Sequence, residues 1–165
     1  MELGLTLPLQ RFLNVKTPAC GTEPDRRLCW DLHVISLRGR RCLLAVHCHS
    51  RYTFVCYDVP PLRWANIYGL FRQGLLESLL AAGFSQERVE RYLRPAGTLA
   101  ITRTHGRREV AFLNRAWEDV REQDLCLDTD RQVQPLLDHA VNTRPSRCAG
   151  FSGLGTGLER INAAL

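Results

Sequence analysis

The chain has 165 residues, 45% of them hydrophobic, and a formal net charge of +5. This length and composition fit one folded domain, and no apolar run approaches the roughly 18 residues that a membrane span needs. The N-terminus has an acidic second residue and lacks the charged start of a signal peptide. We therefore expect a cytoplasmic protein with no membrane partner, formed by a single domain over residues 1–165.

The positive charge is carried almost entirely by arginine, because the chain has 21 arginines and a single lysine, Lys16. Guanidinium groups form bidentate contacts with phosphate and stack on bases, which ammonium groups do less well. The composition therefore favours a nucleic acid or an acidic protein as the partner. Codon bias in a GC-rich genome is the alternative explanation, and it predicts scattered arginines rather than a surface patch.

The predicted elements begin with a short strand and a helix over residues 8–15, in which Pro8 suits the first turn. Strand-like runs follow over residues 29–36, 41–48 and 52–57. Their short polar connections predict an antiparallel meander. Pro60 and Pro61 end this part of the sheet, because proline supplies no N–H group for strand pairing.

The second half of the chain is predicted to be mainly helical. One helix covers residues 65–82 and ends near Gly83, and a second begins after the N-cap Ser85 and ends at Pro95 and Gly97. A strand over residues 98–104 leads into a helix that reaches residue 121, whereas residues 122–165 predict a loop-rich C-terminal extension. We therefore expect an α+β fold, with an antiparallel sheet (a three-stranded meander plus additional strands) packed against helices.

The segment THGRRE, between the last predicted strand and helix, is the predicted site. A helix start presents backbone N–H groups to anions, and His105 with its neighbouring arginines would point into the same small volume. Because histidine titrates near neutral pH, His105 is the candidate acid or base. A solvated turn with helix-capping side chains is the alternative. The predicted anion-binding residues are Arg103, His105, Arg107, Arg108, Asn114 and Arg115.

Seven cysteines, an odd number without a C-x-x-C pair, predict free and mostly buried thiols. In the sequence VHCHS, His47 and His49 lie on one face of a strand and Cys48 on the other. Two imidazoles bind zinc only with further ligands, of which His33 is a candidate. We favour structural or solvated histidines, and the sequence predicts neither a metal nor a cofactor.

Two further patterns have a structural explanation. The segment GFSGLGTGLER matches a phosphate-binding loop only in composition, because no strand precedes it and no GK[ST] follows. Trp30, Trp64 and Tyr92 could stack on bases, but aromatic residues in segments this apolar more often belong to the core.

Three segments carry a family resemblance: WDLHVISLRGRRCLLAVHCHSRYTFVCYDV, ANIYGLFRQGLLESLLAAGFS and TRTHGRREVAFLNRA. They resemble the bacterial proteins grouped as domain of unknown function 6933, over about residues 30–121. The resemblance implies the fold rather than an activity, and Asn114 is part of the shared pattern while His105 is not. Some members look like passengers of mobile elements, which implies an accessory protein that helps the element persist in its host.

We therefore expect a small basic accessory protein that acts on nucleic acid or a nucleoprotein complex, with RNA favoured over DNA, and the resemblance implies a mobile genetic element as its setting. An anti-CRISPR inhibitor of an RNA-guided nuclease is its most specific form, and the positive charge argues against DNA mimicry. One alternative is a metal-independent ribonuclease that uses His105 and the arginines. Another is a protein-interaction module of a transfer or toxin–antitoxin system.

Overall fold

The computed structural model describes residues 1–94 and 99–165. Five strands form the main sheet: β1 (Glu2–Leu5), β2 (Cys29–Leu37), β3 (Arg40–His47), β4 (Thr53–Cys56) and β5 (Ala100–Arg103). They lie side by side in the order β4-β3-β2-β1-β5. Two further strands, β6 (Ser146–Arg147) and β7 (Leu154–Gly155), form a separate two-stranded sheet.

The α+β class predicted from the sequence is confirmed, with one correction to the sheet. Strands β2, β3 and β4 run antiparallel in chain order, with Trp30 opposite His47 and Leu44 opposite Val55. Strand β1, however, pairs in parallel with both β2 and β5, so the sheet is mixed rather than wholly antiparallel. The reason lies in the connections, because long crossovers with helices join β1 to β2 and β4 to β5, and parallel pairing requires such crossovers.

The helices are α1 (Leu7–Phe12), α2 (Pro61–Trp64), α3 (Ile67–Ala81), α4 (Gln86–Leu93), α5 (Arg107–Glu122), α6 (Pro135–Asn142) and α7 (Gly157–Ala164), with short 3-10 helices at Arg26–Leu28 and Asp124–Cys126. Ser85 caps α4, as predicted, because its side chain accepts a hydrogen bond from the Arg88 N–H. The predicted helix end at Pro95 and Gly97, and residue 98 of the predicted strand, lie outside the described residues. The region predicted as loop-rich contains α6, α7 and the two-stranded sheet. None of the helices in residues 1–94 and 99–165 is long and apolar enough to cross a membrane.

Alternation along the strands divides the interior into two cores, one on each face of the sheet. One core packs Trp30, Leu32 and Phe54 against residues of α3 and α4. The other packs Ile35, Leu44 and Val55 against residues of α5 and α6. Trp30, Trp64 and Tyr92 are all at least 95% buried, which agrees with the core interpretation of these aromatic residues.

The face of the sheet that α5 covers is apolar at one end of the strands and polar at the other. Cys29, Asp31 and Ile35 of β2 alternate onto this face, and only Ile35 joins its apolar core. Glu2 and Gly4 of β1 lie beside Cys29 and Asp31 in the parallel ladder. The sheet therefore brings polar groups together at the end where the β5–α5 connection crosses it.

Candidate functional site

His105 lies in the short connection between β5 and α5, and its side chain turns into the protein. Only 1% of that side chain is exposed. Gly106, which follows it, has φ +140° and ψ −179°, a backbone conformation that is essentially restricted to glycine. Gly106 thus separates His105, whose side chain lies inside, from the start of α5, where Arg107 and Arg108 are both exposed.

Two carboxylates hold the imidazole of His105 from opposite sides. Its Nδ1 lies 2.7 Å from Oδ1 of Asp31, and its Nε2 lies 3.3 Å from Oε2 of Glu2. The backbone N–H of His105 also donates to Asp31, at 3.3 Å. An imidazolium ion has an N–H at each nitrogen, so it can donate to both carboxylates at once.

Glu2 is fixed by the loop before β2. Its Oε1 accepts hydrogen bonds from the backbone N–H groups of Thr22, at 2.7 Å, and Glu23, at 3.0 Å. Burial raises the pKa of Glu2, but these hydrogen bonds and His105 outweigh it and leave the pKa below its ordinary value. Glu2 is therefore a carboxylate with a fixed orientation.

Two thiols complete what we call the His105 cluster, which consists of Glu2, Cys29, Asp31, Cys48 and His105. The Cys48 Sγ lies 3.5 Å from His105 Nδ1, and Cys29 groups with Glu2 and His105 through donor atoms within 4.8 Å of one another. Gly4 and Gly21 close over the cluster. A Cβ at Gly4 would lie 2.1 Å from Asp31 Oδ1, and one at Gly21 would lie 2.1 Å from Glu2 Oε2.

The cluster keeps His105 charged. Burial lowers the pKa of His105, but the hydrogen bond to Asp31 and those to Cys29 and Cys48 outweigh it and raise the pKa to about 12. Burial raises the pKa of Asp31 as well, an effect that the His105 hydrogen bond and charge partly offset. We consider an ion pair to be the state of these two groups, because each supplies the opposite charge to the other in a site with little water.

The other predicted site residues lie on the surface and are separated from the His105 imidazole. Arg103 is exposed, and its Nε donates to the carbonyl of Pro18 at 3.0 Å. Arg108 lies 2.6 Å from Glu109, whereas Arg115 lies 3.3 Å from both Glu118 and Asp119. Arg107 and Asn114 are exposed. The structure thus separates the predicted site into a buried histidine cluster and a set of outward-facing arginines.

One surface was not predicted from the sequence. The guanidinium groups of Arg51 and Arg108 both lie over the ring of Phe112, with their Cζ atoms 5.3 Å and 5.9 Å from its centroid. Arg51 also donates to the carbonyl of Arg147, at 3.0 Å. Nearby, Arg160 lies over the ring of Phe151, at 5.3 Å. We call Arg51, Arg108, Phe112, Arg147 and Phe151 the arginine–phenylalanine surface.

The histidines of VHCHS do not assemble into a metal site with Cys48. His47 bonds through Nδ1 to the Ser50 hydroxyl, at 2.7 Å, and through Nε2 to the Arg27 carbonyl, at 2.9 Å. Burial lowers its pKa to about 4, so it is neutral. Cys48, on the opposite face, contacts His105 instead. All seven cysteines are free, and five of them are buried.

The chain was also compared with known proteins. No curated protein matches it. The model of the family described as domain of unknown function (DUF6933) matches residues 2–155. That match includes the sheet, all of α5 and every residue of the His105 cluster and the arginine–phenylalanine surface. The chain therefore belongs to the DUF6933 family.

Proposed function

We propose that this protein binds nucleic acid, single-stranded RNA in preference to DNA, through the arginine–phenylalanine surface. The observation that carries the proposal is the convergence of Arg51 and Arg108 on Phe112, since these arginines come from distant parts of the chain. Codon bias alone predicts scattered arginines rather than two guanidinium groups over one aromatic ring. A binding surface for phosphate and bases requires such a convergence.

The charge of this surface supports an anionic partner. Arg108 is paired with Glu109, but in the described part of the chain no carboxylate lies within salt-bridge distance of Arg51 or Arg147. Some other exposed arginines are paired with a nearby carboxylate, such as Arg91 with Glu87, 2.8 Å apart. The surface therefore has three guanidinium groups and one paired carboxylate, that of Glu109.

The arrangement also has the chemistry that single-stranded nucleic acid requires. A guanidinium group stacked on Phe112 is held in one orientation. Two N–H-bearing nitrogens of Arg108 donate to Glu109 and one of Arg51 donates to the Arg147 carbonyl, so the remaining N–H groups are the ones that would donate to phosphate. Aromatic rings and guanidinium planes stack on exposed bases without strong sequence preference. Unpaired strands expose both their bases and their phosphates, so we expect a single strand to bind better than a duplex. The 2′-hydroxyl, a further hydrogen-bonding group that DNA lacks, is the feature by which the surface would favour RNA.

The family setting gives this proposal its most specific form. An accessory protein of a mobile element that inhibits an RNA-guided nuclease would meet exposed RNA in its target complex. The ribonuclease alternative gains no support, because the His105 imidazole is enclosed and both of its nitrogens are bonded to carboxylates. The remaining alternative is a module that binds only protein, and the following experiment distinguishes it from a nucleic-acid-binding protein.

The test is a fluorescence anisotropy titration of labelled single-stranded RNA and DNA of the same mixed sequence over a series of salt concentrations. For wild-type protein, we expect the logarithm of the RNA association constant to fall by about 0.7 per contacted phosphate for each tenfold rise in salt. The double variant Arg108→Ala/Arg147→Ala should bind at least about tenfold more weakly, which corresponds to roughly 1.4 kcal/mol.

The matched control is Arg72→Ala/Arg91→Ala, which removes the same charge from exposed positions on α3 and α4. It should retain nearly all of the affinity. Absence of binding to either nucleic acid at low salt, or an equal loss in both double variants, would contradict the proposed surface. Binding to a host protein that survives nuclease treatment, without binding to RNA, would instead support the protein-interaction alternative.

A further inference from the structure

The side chains around His105 offer more lone pairs than the N–H groups of its ring can bond. An imidazolium ion has two N–H groups, whereas four groups approach its nitrogens: the carboxylates of Glu2 and Asp31 and the thiols of Cys29 and Cys48. Asp31 and Cys48 both lie within reach of the single proton on Nδ1. Carboxylate, thiol and imidazole are also the three side-chain types that bind zinc.

The spacing on the Nδ1 side suits a metal ion. The donor atoms of Asp31, Cys48 and His105 all lie within 4.8 Å of one another, and the Nδ1 to Sγ distance is 3.5 Å. Bond lengths of about 2.0 Å to nitrogen and about 2.3 Å to sulfur in a tetrahedral site place these two atoms about 3.5 Å apart. The Nδ1 to Oδ1 distance is 2.7 Å and would lengthen to about 3.4 Å as a metal replaces the hydrogen-bonded proton.

The far side of the ring has the arrangement that supports a metal-bound histidine. When Nδ1 binds a metal, Nε2 keeps its proton, and Glu2 Oε2 lies 3.3 Å away to accept it. Glu2 is held in place by the N–H groups of Thr22 and Glu23. A fixed carboxylate behind a histidine ligand orients the ring and strengthens its bond to the metal.

We propose that Asp31, Cys48 and His105 bind a divalent transition-metal ion, with Zn²⁺ as the best match to their donor atoms. One thiolate, one carboxylate and one neutral imidazole balance the two positive charges of the ion. Binding releases the S–H proton of Cys48 and the Nδ1 proton of His105, so an ion of charge +2 replaces two protons and the buried charge does not change. Sulfur and nitrogen donors select zinc over magnesium and calcium, which prefer oxygen.

The experiment is a titration of the full-length protein with Co²⁺ after treatment with a chelator and removal of the chelator. Co²⁺ bound to a thiolate absorbs in the near ultraviolet, and that band should rise to saturation at one equivalent and disappear when Zn²⁺ is added. A pH indicator should record about two protons released per ion bound, by the balance given above. A wild-type protein without this band at equimolar Co²⁺ would overturn the proposal.

Variants identify the ligands. Cys48→Ala should lose the band, whereas Cys148→Ala, which removes another buried thiol outside the His105 cluster, should keep it. Glu2→Gln keeps all three ligands and should weaken metal affinity by about 10- to 100-fold. A band that persists in Cys48→Ala would overturn the assignment. So would a Glu2→Gln protein that binds Co²⁺ as tightly as wild type.

Discussion

The buried and the exposed side of the chain at the start of α5 differ in the groups that surround their positive charges. Inside, His105 has a carboxylate at each ring nitrogen, and its side chain is almost completely enclosed. Outside, Arg51 and Arg108 share the ring of Phe112. Two residues separate His105 from Arg108, and Gly106 lies between them. Neighbouring basic residues in one polar turn therefore have different environments, one in a buried cluster and the other on the outer surface that we propose to bind nucleic acid.

The largest effect is expected from breaking the inner ion pair in metal-free protein. Asp31→Ala leaves the His105 imidazolium buried without its closest partner, and we expect a loss of about 3–5 kcal/mol in the free energy of unfolding. Urea denaturation measures this loss. Asp31→Ala/His105→Ala removes both charges and should be more stable than the single variant. A single variant as stable as wild type would show that the pair is not buried as described.

Replacement of the glycine between the two sides should have the next largest effect. Ala at position 106 would have to adopt a conformation that only glycine adopts readily, and its Cβ would lie 3.0 Å from a Glu109 oxygen. We expect Gly106→Ala to lower the free energy of unfolding by about 1–3 kcal/mol. Arg107→Ala, at the adjacent exposed position, should stay within about 0.5 kcal/mol of wild type in the same urea titration.

Asp138 is a buried carboxylate of a different kind, because no cation among residues 1–94 and 99–165 lies within salt-bridge distance of it. Its oxygens accept hydrogen bonds from the Ser78 hydroxyl, at 2.7 Å, and the Val55 N–H, at 3.0 Å. Burial raises its pKa from 3.8 to about 8, although these hydrogen bonds lower it in part. The folded protein therefore keeps a proton on Asp138 that the unfolded chain releases in this range.

Stability should accordingly fall as the pH rises from about 4 to about 8, relative to Asp138→Asn, which cannot titrate. The difference between the two proteins should change by up to about 1.4 kcal/mol per pH unit. Urea denaturation at several pH values measures it. A difference that stays constant with pH would show that Asp138 is ionised in the folded protein.

Local sequence patterns predicted most of the helices and strands but not which of them pack or pair with one another. Ser85 as a helix cap and the polar turn before α5 depend on adjacent residues, and both could be predicted. The His105 cluster depends on the parallel pairing of β1 with β2, which places Gly4 opposite Asp31. Local patterns do not specify such pairing between distant segments, so nothing in the sequence linked Glu2 to His105.

The enclosure of His105 could not be predicted for a related reason. Its polar neighbours in THGRRE leave a solvated turn open as the alternative, and the two carboxylates that enclose its side chain come from the distant strands β1 and β2. The meeting of Arg51 with Phe112 is equally non-local, since the β3–β4 turn and α5 are far apart in the sequence. The arginine-rich composition favours an anionic partner, which stays a prediction, whereas only the fold shows where the arginines converge.

The most direct test of the account compares inner and outer variants on the same RNA. Labelled single-stranded RNA is incubated with wild type, His105→Gln and Arg108→Ala/Arg147→Ala, and both affinity and RNA integrity are recorded, with circular dichroism as the check of folding. We predict intact RNA in every sample and weakened binding only for the outer variant. RNA that is cleaved by the wild type and spared by His105→Gln would contradict the account.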